Sequence, residues 1–224
     1  MAGIPMTNLY SKKAVDILRV LLVLYPQSLT LLKLAREAQV SLGTAFKISK
    51  ALINERILIR ESDNYELKLM APSDLLKRWA IVNNFIANTE FLEYYTGEAD
   101  ITKFIEEFKE CNDIEYAFTG LTGALLVAPH VRPTNVHVYV KTEADAKKIA
   151  KRLNLMPIEE NGNVKFSIPV SNGVFYDVRE IDGVKVVSDI QLYVDLYNYP
   201  ARGEEAATEI YKVIENQWDS LRFK

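Results

Sequence analysis

The sequence predicts an α+β protein in two parts: a helical N-terminal part closed by a hairpin, and a longer C-terminal part of mixed strands and helices. Three observations carry this. Between Val40 and Leu58, apolar residues fall at Ala45, Ile48, Leu52 and Ile53, the spacing of one helical face. After Ile57 the period changes to two, with Leu58 and Arg60, then Tyr65, Leu67 and Leu69, around the polar tip Glu61-Ser62-Asp63-Asn64. Beyond residue 99, short β-rich runs alternate with helical ones, as in domains where strands and helices share a core.

Composition sets the bounds. A chain of 224 residues, 49% hydrophobic and 25% charged, holds one large domain or two small ones with a real core. The longest apolar run, Val20 to Tyr25, is far too short to cross a bilayer, and the N-terminus lacks the pattern of a signal peptide. The single cysteine, Cys111, excludes an intrachain disulfide framework and fits a reducing cytoplasm. The net charge of −3 hides an asymmetry. Residues 1–70 hold 10 Lys+Arg and 6 Asp+Glu, a net of +4; residues 71–224 hold 17 and 24, a net of −7. A basic head on an acidic body points to a polyanionic partner for the head.

In order, Met1–Tyr10 is uncharged and reads as a loose arm. Ser11–Leu24 forms a first helix with a broad apolar face of Ala14, Val15, Leu18, Leu21, Leu22 and Val23, and Pro26 follows its end. Ser28 or Thr30 starts a second helix carrying Leu31, Leu32, Leu34 and Ala35, which stops near Gln39. Ser41 caps a third, because its hydroxyl can accept a bond from an otherwise unpaired backbone N–H. That helix sets Thr44, Lys47, Ser49 and Lys50 opposite its apolar residues, with no acid before Glu55. Short hydroxyls and long cations on one face suit phosphates and base edges; a solvated amphipathic helix is the plainer alternative.

Helix, helix, helix, hairpin in this order resembles a winged helix-turn-helix domain. The residues that carry the resemblance are Val40, Ser41, Thr44, Ala45, Lys47, Ile48, Leu52 and Ile57-Leu58. It implies that the third helix enters the major groove of duplex DNA, with Thr44, Lys47 and Lys50 as contacts, Ser41 as cap and phosphate neighbour, and Arg60 as a further contact from the wing. Many such sequences place glycine where this one has Arg56, and Glu61 and Asp63 at the wing tip oppose phosphate contact there.

Residues 1–70 are thus expected as the DNA-binding domain, 71–98 as a linker helix and 99–224 as the C-terminal α/β domain. Pro72-Ser73-Asp74 opens the linker helix, Asp74–Asn88, along which lie Leu75, Leu76, Trp79, Val82, Phe85 and Ile86. Phe91–Tyr95 fits a strand or a helical end. Ile101–Cys111 follows as helix, Ile114–Phe118 as strand, Ala124–Ala128 as an apolar segment, Asn135–Val140 as strand, Glu143–Leu153 as helix, and Val164–Val170 and Val174–Ile181 as strands.

Two of these elements look like a nucleotidyltransferase fold: the strand ending in the Phe118-Thr119-Gly120 turn, and the strand after it. In that fold the second strand bears alternating carboxylates that hold Mg²⁺, a hard cation that favours oxygen ligands. Here those positions are Asn135 and His137, and Asp177 alone stands for a third acid, so the resemblance implies a degenerate domain without catalytic residues. His130, His137 and Cys111 lack zinc spacing, and no nucleophile elbow, P-loop or dinucleotide fingerprint occurs. Gly120-Leu121-Thr122-Gly123 is either a phosphate-binding turn or simply a tight strand-to-helix turn.

The most specific stretch is Ser188–Ala207. A strand ends at a Ser cap, a helix buries Ile190, Tyr193, Val194 and Tyr197, and a Pro200-Ala201-Arg202-Gly203 turn leads to a last helix, Glu204–Trp218. Gln191, Asp195, Arg202 and Glu204 are its polar positions, explained equally by capping and internal pairing or by partner binding. With the Thr119-Gly120 turn and the N-terminal helices, this block resembles the AbiEi-family antitoxins of type IV toxin–antitoxin systems, over roughly Ser11–Trp218. The resemblance implies an autoregulating DNA-binding transcriptional regulator that opposes a nucleotidyltransferase-type toxin. The expectation is a cytoplasmic regulator of double-stranded DNA with no metal, cofactor or membrane contact, binding as the homodimer usual for a winged helix on a two-fold operator, with tandem monomers as the alternative. An active nucleotidyltransferase with a DNA-binding head, and a ligand-sensing transcription factor, are the alternatives.

Overall fold

A computed structural model of the chain describes residues 8–61 and 65–222. It divides into two compact units, one built on residues up to Val82 together with those from Asn216 onward, the other on Asn83–Glu215. Three residues of the expected wing tip, Ser62, Asp63 and Asn64, and most of the N-terminal arm lie outside the described residues.

The first unit packs helices α1 (Lys12–Val23), α2 (Leu31–Glu37) and α3 (Leu42–Asn54) around Ile17, Leu18, Leu34, Ala45 and Leu52. Thr30 and Ser41 cap α2 and α3, each hydroxyl accepting from the backbone N–H three residues on, which satisfies one orphan donor per helix. Strands β1 (Leu58–Arg60) and β2 (Leu67–Leu69) pair antiparallel, Leu58 opposite Leu69. Leu29 bridges to Leu67, fixing the segment before α2 against the hairpin. Arg56, at the turn into β1, has φ +60, so the backbone adopts there the left-handed conformation that glycine would take freely.

The segment 71–98, expected as a linker, is shared between the units. Helix α4 (Pro72–Val82) belongs to the first, and buries Leu75, Leu76 and Trp79. Pro72 itself opens it, a position where the missing N–H costs nothing, so Ser73 and Asp74 are helical and not caps. The helix ends at Val82 instead of Asn88, and Phe85 is buried within the second unit. Residues 216–222 of the last helix also join the first unit: Trp218 packs edge-on against Tyr25 at 5.4 Å, and the Arg222 guanidinium lies over the Tyr25 ring.

The second unit is one mixed seven-stranded sheet. Its strands are β3 (Phe91–Tyr95), β4 (Tyr116–Thr119), β5 (Val136–Val140), β6 (Met156–Pro157), β7 (Val164–Ser167), β8 (Arg179–Ile181) and β9 (Val184–Val186), in the order β6-β3-β7-β5-β4-β9-β8. Pairs β5–β7 and β4–β9 are parallel and the rest antiparallel. The expected strand Val174–Ile181 is instead a 3-10 turn (Asn172–Phe175) followed by the β8–β9 hairpin, because Asp182-Gly183, both at positive φ, turn the chain back on itself.

Period-two alternation in β4 and β5 sorts side chains to two faces, and both are buried. One face carries Tyr116, Phe118, Val136, Val138 and Val140. These meet Phe104 and Phe108 from helix α5 (Ile101–Glu107) and its 3-10 extension, and Ile149 from the helix at Glu143–Arg152. The other carries Thr119, His137 and Tyr139, all buried beneath two helices at Gly120–Val127 and Asp189–Tyr197. Numbered in chain order these are α6 (Gly120–Val127), α7 (Glu143–Arg152), α8 (Asp189–Tyr197) and α9 (Gly203–Arg222). Helix α8 is buried all round from Asp189 to Leu196, not on one face as its spacing suggests.

Candidate nucleic-acid interface and a buried polar centre

In the first unit, α3 sets Ser41, Lys47 and Lys50 in solvent, and Arg60 is exposed on β1. Thr44 is half-buried, and its hydroxyl lies 2.9 Å from that of Ser41, so the two hydroxyls engage each other at the helix start. Ser49 departs from the expected face. It is 2% exposed, and its Oγ has no hydrogen-bond partner among the described residues. Its position one residue after Ile48 carries it into the interior despite its polarity.

Spacing along α3 could not reveal what lies beside it. The start of α1 brings Asn8, Ser11, Lys12 and Lys13 to Thr44 and Lys47, and together they line a notch floored by Ile48. Lys12, Lys13, Lys47, Lys50 and Arg60 form no ion pair with any other described residue. Cations left unpaired on one surface raise the local potential and favour an anionic partner. Arg78 of the same unit is by contrast held by Glu55 at 3.0 Å and Asp74 at 2.8 Å. The α1–α3 side therefore offers cations that no acid among the described residues has engaged.

In the second unit, the residues read as the turn and strand of a reactive centre do come together, in the interior. Gly120 opens α6 at φ +57, where a β-carbon would lie 3.6 Å from the Tyr199 ring and 3.7 Å from His137. Thr119 Oγ1 donates to Asp195 Oδ2 at 2.7 Å, Tyr139 OH donates to the same oxygen at 3.2 Å, and Gln191 Nε2 donates to Asp195 Oδ1 at 2.8 Å. Thr122 Oγ1 donates to the Asn135 carbonyl and accepts from the His137 backbone N–H. Asp195 is 1% exposed, and these three donors are all side chains of its own unit. Gln191 and Asp195 thus tie α8 to β4 and β5, and both are buried.

His137 sits beside this network. Phe85, Phe91 and Tyr199 surround its ring edge-on at 5.4–5.7 Å, and Nδ1 is buried without a hydrogen bond among the described residues. Desolvation drives its pKa down to about 4, with help from the positive charge of Lys165 and against the pull of Glu93. Neutral and enclosed by rings, it is a packing element of the sheet. Asp177, the other acid weighed for this centre, lies in the loop before β8. Burial raises its pKa, and its charged neighbours are Arg179 and Asp189. Among the described residues no three His, Cys, Asp or Glu side chains converge as a metal site. Cys111 is buried, which pushes its thiol pKa up and makes it a poor nucleophile.

Arg202 and Glu204 are exposed at the start of α9. Arg202 makes a two-pronged pair with Glu205 at 2.6 and 2.7 Å, and His130 joins the same carboxylate at 2.8 Å. Glu204 is not part of that pair. Among the described residues no helix is long and apolar enough to cross a membrane.

A family model described as "Transcriptional regulator, AbiEi antitoxin, Type IV TA system" matches residues 68–216. The match spans more than half of the chain, so the chain belongs to the AbiEi family of transcriptional-regulator antitoxins of type IV toxin–antitoxin systems. The matched residues begin in β2, so α1, α2 and α3 lie before them. No curated protein and no solved structure matches the chain.

Proposed function

We propose that the chain is a DNA-binding antitoxin that represses its own promoter and opposes a nucleotidyltransferase-type toxin. In this reading the first unit is a winged helix-turn-helix domain. Helix α3 enters the major groove, Lys47 and Lys50 contact the duplex, Thr44 and Ser41 lie at its leading end, and Arg60 reaches phosphate from the hairpin. A two-fold operator is then read by a homodimer. The observation that carries this is the set of unpaired cations on α3 and at the start of α1, which supports a polyanion as the ligand of this face.

The second unit is proposed as a nucleotidyltransferase-like fold that does no transfer. The reading is supported by Asn135 and His137 standing where paired carboxylates are needed, and by the ring cage that fills the space around His137. Of the polar positions in Ser188–Ala207, Arg202 and Glu204 are proposed as the toxin-facing pair, since they are the exposed ones. Gln191 and Asp195 serve them by holding α8 in place.

The test is binding to the duplex immediately upstream of the coding region, against scrambled competitor, at two salt concentrations. Wild type is expected to bind specifically, with affinity falling steeply as salt rises. The double variant Lys47→Ala/Lys50→Ala is expected to bind more weakly and to flatten the log–log salt slope by roughly two, about 0.9 for each phosphate that is no longer neutralised. Equal affinity and slope in wild type and variant would place the DNA-contacting face elsewhere.

A further inference from the structure

Helix α3 carries two large apolar side chains that its own fold does not use. Leu42 is 51% exposed and Phe46 50% exposed, while Ala45, Ile48 and Leu52 on the other side are buried. Leu42, Phe46 and Lys50 are spaced four apart, so they form one row along the helix with a cation at its end. Beside Leu42 lies Gly43. A β-carbon built there meets nothing within 4 Å, and its φ is not in the left-handed region. Neither packing nor backbone conformation calls for glycine, although glycine within a helix is unfavourable relative to alanine. What it leaves is backbone without a side chain at Gly43, open to close approach from outside.

An exposed apolar row on a surface also bearing unpaired lysines calls for a partner that is anionic overall and apolar locally. The major groove of DNA is such a surface: its walls are phosphate, and each thymine projects a C5-methyl group into it. We infer that Leu42 and Phe46 are specificity-determining residues that contact thymine methyl groups, with Gly43 letting the duplex approach the helix and Lys47 and Lys50 anchoring the phosphates on either side. The inference rests on the DNA-binding reading of this face and adds the chemistry of the bases read, namely thymine-bearing steps. It also divides the labour on α3. The lysines supply affinity that any sequence shares, and the apolar pair supplies preference.

The experiment starts from a random duplex library from which the full-length protein selects binders. A selected duplex is then remade with deoxyuridine for thymidine, one position at a time, which removes the methyl group and nothing else. At contacted positions wild type is expected to lose about fourfold in affinity per methyl, the effect of exposing one buried apolar carbon. The variant Leu42→Ala/Phe46→Ala is expected to bind thymidine and deoxyuridine duplexes alike, with the salt slope of wild type. Both positions are half exposed, so the variant is expected to keep the wild-type circular dichroism spectrum and melting temperature.

Selected duplexes bound with no discrimination at any thymine would overturn the inference and leave the DNA reading standing. Failure to select any duplex would overturn the DNA reading and this inference with it. If the variant binds both duplexes as wild type does but no longer dimerises in sedimentation, the apolar row belongs to a contact between copies of the chain, and the inference is again overturned.

Discussion

His137 is a titratable group used for packing. Its ring is buried among Phe85, Phe91 and Tyr199 and titrates at about 4, against 6.5 when free. Between those values the unfolded chain binds more protons than the folded one, so stability rises with pH there. The contribution is complete above pH 6.5, is lost as pH falls toward 4, and does not change further below that. A gap of this size corresponds to about 3 kcal/mol. Urea unfolding of wild type at pH 7.5 and pH 4.5 should differ by an amount of that order, and His137→Phe should remove most of the difference. If the variant keeps the full pH dependence, the acid sensitivity resides in other groups. None of this environment is visible in the sequence. The three rings come from positions 85, 91 and 199, which no local period connects. What the sequence offers is only a resemblance, in which His137 stands where a nucleotidyltransferase fold would have a carboxylate.

At the scale of elements, legibility followed the caps. Thr30, Ser41 and Ser188 each accept a backbone N–H at the start of a helix, and these starts were readable because the signal is local. The errors fell where tertiary packing decides. Helix α4 stops early and Phe85 is buried in the second unit. Ser49 is interior, and α8 is buried on every side because it closes over β4 and β5. Arg56 marks an intermediate case. An arginine in place of the usual glycine suggests a different turn, and the backbone takes the positive φ there all the same.

Asp195 is the point where α8, β4 and β5 are joined, so its removal is an element-scale event. Asp195→Ala removes the buried carboxylate to which the Thr119 hydroxyl, the Tyr139 hydroxyl and the Gln191 amide all donate. A cost of roughly 3–5 kcal/mol follows from breaking a buried charge-assisted hydrogen-bond network. Chemical denaturation should show it. Arg202→Ala should leave the denaturation midpoint almost unchanged, because solvent screens an exposed pair. Equal effects of the two substitutions would mean that the network contributes little.

The molecule as a whole places its charge unevenly, with +4 over residues 1–70 and −7 over the rest. This asymmetry is legible from composition alone. The path of the chain is not. The first unit is discontinuous, completed by residues from Asn216 onward. Trp218 is 6% exposed and covers Tyr25, and the Arg222 side chain bonds the Tyr25 hydroxyl. Trp218→Ala should destabilise the first unit by about 3–5 kcal/mol, the usual cost of truncating a buried aromatic. It should lower the first unfolding transition in calorimetry and weaken DNA binding, although residue 218 is remote in sequence from α3. A variant with unchanged unfolding would show that the first unit stands without its C-terminal contribution.

The discontinuity also sets a schedule. On the ribosome, α1 to α4 emerge first, and Tyr25 stays uncovered until the second unit has been made and Trp218 follows. A product of interrupted translation that ends within α9 before that point would carry a finished sheet and an unfinished head. The contact that covers Tyr25 would thus form only after the second unit had been synthesised.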